Sequence, residues 1–307
     1  MKPMHFGALF LLGAIWGASF LFIGVAVQEF GPFLLMFLRV LVGGLILLLI
    51  GWITQKQNPL GLLRWRDTWR KYLIVGLLNS ALPFTLIAFS ELKLTVSLAA
   101  ILNSTTPLFT ALVAAVWNNE RLTGRKLLGV FMGVIGVAML MRGSPLIVDL
   151  YLIVAVLASL SAALCYGTAT VYAARHISGL PAIFASISQL LSAAILLAPP
   201  AMLTIPDEMP SSTAIIALLS LIILSTSCAN LLYFFLLKNV GATQTASVTF
   251  LVPVFGSLWG ILFLREPFNS GMLLGMVIIL TSVGLVAGIR IRKHMPQSPV
   301  RVALKDF

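Results

Sequence analysis

The sequence predicts an all-α integral membrane protein with ten transmembrane helices arranged as two inverted five-helix repeats. Of the 307 residues, 60% are hydrophobic and only 9% are charged, whereas soluble domains average about 25% charged residues. Charge-free intervals separate short clusters of charged residues, for example from Asp149 to Arg175 and from Glu208 to Lys238. A helix of that length can cross about 30 Å of hydrocarbon, where the backbone must satisfy its own hydrogen bonds.

The apolar segments divide the chain into ten predicted spans. The first is too long for the hydrophobic core of a signal peptide, so we expect it to remain in the protein. The fifth is the shortest, unless residues 122–124 already belong to it. The predicted spans are Phe6–Val27, Pro32–Ile53, Tyr72–Ser90, Thr95–Trp117, Leu127–Met141, Leu150–Ala173, Pro181–Leu203, Thr213–Leu237, Thr243–Leu264 and Gly271–Ile289.

Two segments outside the predicted spans are long enough for their structure to be predicted separately. The loop between the second and third spans is basic and carries Trp65 and Trp69 at i, i+4 spacing, which predicts a short interfacial helix. The polar segment 291–307 is predicted to be a disordered cytoplasmic tail.

The distribution of basic residues predicts the orientation of the spans. If both termini are cytoplasmic, most of the 20 lysines and arginines lie on the cytoplasmic side, and only Lys93, Arg142 and Arg265 lie outside. This asymmetry is the positive-inside pattern of a bacterial inner (plasma) membrane protein. It also accounts for the net charge of +11. We expect no nucleic-acid partner, because no basic face belongs to a soluble core.

The two halves of the chain resemble each other. Pro107, Glu120 and Gly129 have the same spacings as Pro253, Glu266 and Gly275, so a shift of 146 residues superposes the two stretches without a gap. Earlier matches pair Trp16–Gly17 with Tyr166–Gly167 and Pro32 with Pro181. Because each half holds five spans, the second half enters the membrane in the opposite sense. The predicted units are residues 1–143, 144–290 and the tail 291–307.

These motifs resemble the EamA-type permeases of the drug/metabolite transporter superfamily. The residues that carry the resemblance are 15–20 (IWGASF), 37–39 (FLR), Pro107 with 119–123 (NERLT), and Pro253 with 265–267 (REP). The resemblance covers nearly the whole chain. It implies efflux or exchange of amino acids and related metabolites by alternating access. It also implies a central cavity lined by spans one to four and six to nine, with spans five and ten at the periphery.

Arg39 is the sharpest candidate for contact with a substrate. It lies well inside the second span, and a cation at that depth usually faces the interior of a helix bundle. One interpretation is a docking point for a substrate carboxylate or a link in an outer gate. The other is a structural arginine that bonds helix carbonyls, hydroxyl groups, or the outer carboxylates Glu29 or Glu91. The sequence leaves both interpretations open.

Polar and aromatic residues near the middle of the spans complete the predicted cavity. Each of them could equally form hydrogen bonds between helices, because a polar group in hydrocarbon needs a partner. Glu120 and Glu266, at the ends of spans four and nine, are interpreted as interfacial caps or ion pairs rather than proton carriers. The cavity candidates are Trp16, Ser19, Arg39, Asn79, Asn103, Tyr166, Gln189, Asn230 and Tyr233.

The sequence lacks several motifs of catalytic, nucleotide-binding and metal-binding proteins, and this limits the functions that we expect. The chain has no G-x-x-x-x-G-K-[ST] loop, no metal-ligand cluster and no nucleophile–base pattern, so we expect no enzyme activity, metal or cofactor. No carboxylate lies deep in a predicted span, which favours a zwitterionic, neutral or anionic substrate over a cation. The sequence therefore predicts a secondary transporter that exports small metabolites such as amino acids; the alternative is a facilitative channel or a lipid-translocating protein. Glycines in spans five and ten permit either packing within one chain or a homodimer.

Overall fold

The computed structural model describes residues 3–54, 65–118, 123–143, 146, 149–177 and 182–287. Within these ranges all regular secondary structure is helical, and ten helices are long and apolar enough to cross a membrane. The all-α membrane prediction is therefore confirmed. Pro181, Glu120 and the tail lie outside the described residues. The helices are α1 Pro3–Phe30, α2 Pro32–Ile53, α3 Thr68–Ser90, α4 Val96–Trp117, α5 Gly124–Gly143, α6 Leu150–His176, α7 Ala182–Met202, α8 Ser212–Val240, α9 Gln244–Leu264 and α10 Ser270–Ala287.

The ten crossings give the bundle two ends. α1 begins and α10 ends at the same end, which we call the terminal end. The opposite end, called the far end, holds the connections that follow α1, α3, α5, α7 and α9. Gly31, at a φ of 68°, makes the tight turn from α1 to α2 there, a backbone conformation that glycine adopts without a steric penalty.

α3 and α8 each contain a π-helical segment. The helix that leads into α3 begins at Trp65 and runs to Gly76, continues as a π-helix over Leu77–Ala81, and ends as Leu82–Ser90. The predicted helix at Trp65 and Trp69 is present, but it runs into α3 without a break and is not a separate short element. α8 comprises Ser212–Ser220, a π-helix over Leu221–Cys228, and Ala229–Val240. π segments of this kind are frequent at functional sites.

α4 and α9 are both interrupted ahead of a proline. α4 consists of Val96–Asn103 and a second piece that begins at Thr106, with Pro107 as its second residue. The helix that leads into α9 begins at Ala242 and runs to Ala246, and α9 then continues over Val248–Leu264, which includes Pro253. At the α4 break, the hydroxyl groups of Ser104 and Thr105 donate to the carbonyl oxygens of Ile101 and Leu102 at 2.6 and 2.7 Å. The same two carbonyl oxygens also accept the backbone N–H groups of Ser104 and Thr105, so the side chains add second hydrogen bonds at the break.

The principal helix contacts link the two halves of the chain. α5 packs along α10, α2 along α7, α1 along α9, and α4 along α6. α5 and α10 otherwise contact mainly α4, which places them at the periphery, as the resemblance implies. The largest apolar core is built from the remaining helices with contributions from α5 and α10.

Two glycines allow close approach in the α1–α9 and α4–α6 pairs. A Cβ at Gly17 in α1 would lie 2.8 Å from the backbone nitrogen of Gly256 in α9. A Cβ at Gly167 in α6 would lie 2.7 Å from the backbone nitrogen of Thr110 in α4. Both distances are too short for a carbon atom, so each pair of helices requires glycine at its crossing point. Gly256 and Thr110 are separated by the same 146 residues as the sequence repeat.

Candidate functional site

Arg39 lies in the middle of the bundle and is only 6% exposed. Its Nε donates a hydrogen bond to Oγ1 of Thr226, 3.1 Å away, in the π segment of α8. Within the described residues, no carboxylate oxygen lies within 4.0 Å of its guanidinium group. The arginine is therefore held by a neutral hydroxyl group and has no ion pair among these residues.

An aromatic ring packs against the Arg39 guanidinium group. Its Cζ lies 3.9 Å from the centroid of the Phe84 ring, within the range of a cation–π interaction. The Phe84 ring in turn meets Tyr166 of α6 edge to face, with 6.3 Å between centroids. This arrangement orients the guanidinium group between α3, α6 and α8 and brings two of the predicted cavity residues together.

One face of α8 continues from Arg39 towards the terminal end. Thr226, Asn230 and Tyr233 follow at i, i+4 and i+7, which places them on the same side of the helix. The Asn230 amide donates to the carbonyl oxygen of Thr226 at 2.7 Å and accepts from the Ser186 hydroxyl at 3.3 Å. The Tyr233 ring lies 5.7 Å from the ring of Trp16. Four predicted cavity residues, Arg39, Asn230, Tyr233 and Trp16, thus lie along a continuous path.

The π segment of α3 also binds a polar side chain from the other half of the chain. Gln189 of α7 donates to the hydroxyl group of Ser80 in α3 at 2.7 Å. Arg39 of α2 makes the corresponding contact to Thr226 in α8. Each π segment is therefore held by a polar side chain from the opposite half, which explains why Gln189 lies in the interior.

Gln189 and three other predicted cavity residues are not part of this path. The Ser19 hydroxyl donates to the carbonyl oxygen of Trp16 in its own helix. The side chains of Asn79 and Asn103 make no hydrogen bond within the described residues, and Oδ1 of Asn103 is buried. The path contains two residues, Phe84 and Thr226, that the sequence prediction missed. The run of hydroxyl groups at Ser225, Thr226 and Ser227 inside an apolar span is a signal that could have indicated the second of them.

Glu266 lies at the far end and binds the first residues of α4. Its carboxylate accepts hydrogen bonds from the backbone nitrogens of Val96 at 2.6 Å and Ser97 at 3.0 Å, and from the Ser97 hydroxyl at 2.6 Å. A carboxylate at this position satisfies free N–H groups and interacts favourably with the helix dipole. Of the two roles predicted for Glu266, the structure shows the helix cap.

Glu91 follows α3 at the far end and is buried. It is only 4% exposed, and neither carboxylate oxygen has a hydrogen-bond partner. Burial, followed by the neighbouring Glu266 carboxylate, raises the pKa of Glu91 well above its usual range, while Arg39 opposes this effect. The other carboxylate predicted as a partner of Arg39, Glu29, instead accepts hydrogen bonds from Ser211. Of the partners predicted for a structural Arg39, the described residues show a hydroxyl group, that of Thr226, and no direct hydrogen bond to Glu29 or Glu91.

The chain matches a known family over most of its length. The model of the EamA-like transporter family matches residues 5–142 and again residues 153–288. The chain is 27% identical over 283 residues to the Uncharacterized transporter YvbV of Bacillus subtilis, covering 91% of this chain and 90% of that protein. It is 26% identical over 286 residues to the Uncharacterized inner membrane transporter YedA of Escherichia coli K12, covering 92% and 90%.

The fold also matches a chain of known crystal structure. That chain, described only as a protein, superposes with a TM-score of 0.62 at 19% sequence identity. The match covers 93% of this chain and 96% of the other. It shows a shared fold.

Proposed function

Because the chain belongs to the EamA-like transporter family, we propose that it is a secondary transporter that exports small carboxylate-bearing metabolites, including amino acids, by alternating access. The observation that carries the substrate class is the buried guanidinium group of Arg39 with no ion-pair partner in the described part of the chain. An arginine in the middle of a transmembrane helix costs about 2.5–3.5 kcal/mol on insertion-based scales. A substrate carboxylate would offset that cost by forming a charge-assisted, two-pronged hydrogen bond with the guanidinium group.

The irregular helices support a central site between two related halves. Broken helices at corresponding positions in the two halves are typical of transporters that bind substrate near the membrane midplane. Here α4 and α9 are both interrupted, and α3 and α8 both contain π segments. The contact between α1 and α9 corresponds to the contact between α6 and α4 in the other half of the chain. The glycine contacts at Gly17 and Gly167 correspond in the same way. These correspondences support two inverted repeats, residues 1–143 and 144–290.

The charges at the two ends support an orientation with both termini in the cytoplasm. Among the described residues, the terminal end carries the basic pairs Arg70–Lys71 and Arg125–Lys126, together with Arg175 and Lys238. The far end carries the six acidic residues Glu29, Glu91, Asp149, Asp207, Glu208 and Glu266. The positive-inside rule then places the terminal end in the cytoplasm. Reporter fusions at each connection test this orientation, and a reporter that is active outside when fused after α10 would contradict it.

Counterflow in proteoliposomes tests the proposed substrate class. Vesicles preloaded with one amino acid at high concentration should accumulate the labelled amino acid, and the matching amino-acid amide should compete poorly. Arg39→Ala should lower counterflow of the carboxylate substrates by about tenfold or more, because the charge-assisted bonds of the buried docking group are lost. Arg39→Lys should recover only part of it, since lysine lacks the planar fork.

A second basic residue provides the matched control. Arg142 lies at the end of α5 and is exposed, so Arg142→Ala should leave counterflow unchanged. Equal loss in both variants, or equal use of acid and amide by the wild-type protein, would refute carboxylate docking at Arg39. Flux that does not saturate would instead indicate a channel, and movement of labelled lipid would indicate a lipid-translocating protein.

A further inference from the structure

Glu91 presents a carboxyl group that the proposed transport path does not use. Both oxygens are buried and lack hydrogen-bond partners, although the peptide carbonyl of the same residue accepts a hydrogen bond from the Gln28 amide at 3.4 Å. Leaving an ionised carboxylate buried and unpaired is strongly unfavourable. This conformation therefore favours a protonated Glu91.

The surroundings leave little room for any ligand larger than a proton. A Cβ added at Gly24 of α1 would lie 3.2 Å from Oε2 of Glu91 and 2.9 Å from Cγ2 of Val96. Glu91, Val96 and Gly24 thus pack against one another where α1 meets the start of α4. Val96 is itself only 2% exposed. The Glu91 carboxyl group therefore belongs to the tight packing of Glu91, Val96 and Gly24 at the far end, which we call the packed seal.

The charged groups around Glu91 come from three elements. Arg39 of α2 and Glu266 of the segment after α9 both interact with it electrostatically. Lys93, two residues along the chain, is directed away, with its amino group over the Tyr151 ring of α6 at 5.6 Å from the centroid. The described residues of α4 carry no charge. Glu266 is therefore the acidic group that would repel an ionised Glu91.

We propose that Glu91 is a proton-binding site that controls the opening of the far end through Glu266. Protonated Glu91 fits the packed seal and leaves Glu266 in place on the start of α4. Loss of the proton to water at the far side leaves a buried Glu91 carboxylate without a hydrogen-bond partner in the repulsive field of the Glu266 carboxylate. This unfavourable arrangement is relieved when α4 separates from α1 and Glu266. This inference adds proton control to the proposed transport cycle and rests on that cycle only for its physiological meaning.

The sign of the pH dependence follows from linkage. The pKa of Glu91 is raised in the closed conformation, whereas an exposed glutamate has a pKa of about 4.3. The closed state is thus most favoured at low pH. The ratio of closed to open molecules falls as pH rises from the exposed value to the buried value, by up to about tenfold per pH unit.

Chemical labelling at the far end tests the proposal. A single cysteine at Val96, in a background where Cys165 and Cys228 are replaced, reports the separation of α4 from α1. Its labelling rate by a membrane-impermeant maleimide is measured in proteoliposomes from pH 5 to pH 8, with and without Glu91→Gln. Dividing the rate with native Glu91 by the rate with Glu91→Gln removes the pH dependence of the thiol itself. This ratio should rise with pH by up to about tenfold per unit.

Two further variants make the result decisive. Glu91→Asp retains a titrating carboxyl group, so its ratio to Glu91→Gln should also rise with pH. Glu29→Gln removes an exposed carboxylate at the same end and should follow the wild-type protein. A ratio that stays flat across the pH range, or a Glu29→Gln profile that matches Glu91→Gln, would overturn the proposal. Labelling requires no substrate, so a titrating ratio in a protein without amino-acid counterflow would refute the proposed function and leave this inference standing.

Discussion

The two ends of the bundle are built from corresponding residues and yet are closed to different degrees. At the far end, every residue of Val96–Leu102 at the start of α4 is buried. A shift of 146 residues leads to segment 242–248 at the terminal end, where Ala242, Gln244 and Ala246 are exposed. Neighbouring helices thus surround the start of α4 on all sides and only part of the start of α9. In this conformation the start of α4 is therefore more enclosed than the start of α9.

The start of α4 also has more capping groups than the start of α9. α4 begins with a side-chain cap from Thr95 and with the carboxylate of Glu266 on its first N–H groups. The residue that corresponds to Thr95 is Gly241, and it provides no side-chain cap. Leu237 corresponds to Glu91. The proton-binding group therefore belongs to the far end alone, so the two ends should respond differently to pH even though their helices correspond.

Removing the Glu266 carboxylate should have the largest effect on this difference. Glu266→Ala deletes three charge-assisted hydrogen bonds at the start of α4, and each such bond contributes about 1.5–3 kcal/mol. Loss of even one bond of that strength corresponds to a shift of about tenfold or more towards the open far end. The cysteine reporter at Val96 should accordingly label faster at low pH by about tenfold or more.

An exposed carboxylate at the same end provides the control for that experiment. Glu208 is exposed and its side chain makes no hydrogen bond within the described residues, so Glu208→Ala should leave the labelling rate unchanged. An unchanged rate in Glu266→Ala would mean that packing, and not the carboxylate, holds the far end closed.

Substitution of the two crossing glycines tests the correspondence between the halves. Gly17→Ala and Gly167→Ala should each destabilise the protein by about 1–3 kcal/mol, because both force a carbon atom against a neighbouring backbone. Thermal unfolding in detergent should show comparable decreases in Tm. Gly7→Ala, in α1 with nothing within 4 Å of the added carbon, should be neutral or slightly stabilising. A Gly167 variant that behaves like the Gly7 variant would argue against equivalent crossings.

The sequence predicted the fold more completely than the site. Apolar length and charge spacing specify helices that only lipid can solvate, and for this reason the ten spans were predictable. Side-chain partners were not, because contacts such as Arg39 to Thr226 join residues 187 positions apart. Glu91 was visible at the end of a span, but its burial depends on how α1 and α4 pack. Irregular π backbone in α3 and α8 likewise has no local signature strong enough to locate it.

The smallest predicted effect concerns the Thr95 cap, and it separates the contributions of two groups that bind the same helix end. The Thr95 hydroxyl accepts a hydrogen bond from the backbone nitrogen of Leu98 at 3.3 Å, and loss of such a cap costs about 1 kcal/mol. Thr95→Ala should therefore accelerate labelling of the Val96 cysteine by about fivefold, less than Glu266→Ala, and Thr95→Ser should restore the wild-type rate. Because the uncharged hydroxyl does not interact with the Glu91 charge, Thr95→Ala should shift the rate equally at pH 5 and pH 8. A shift that depends on pH would place the cap and the proton-binding site in one coupled unit, and would extend the difference between the two ends from Glu91 to the whole start of α4.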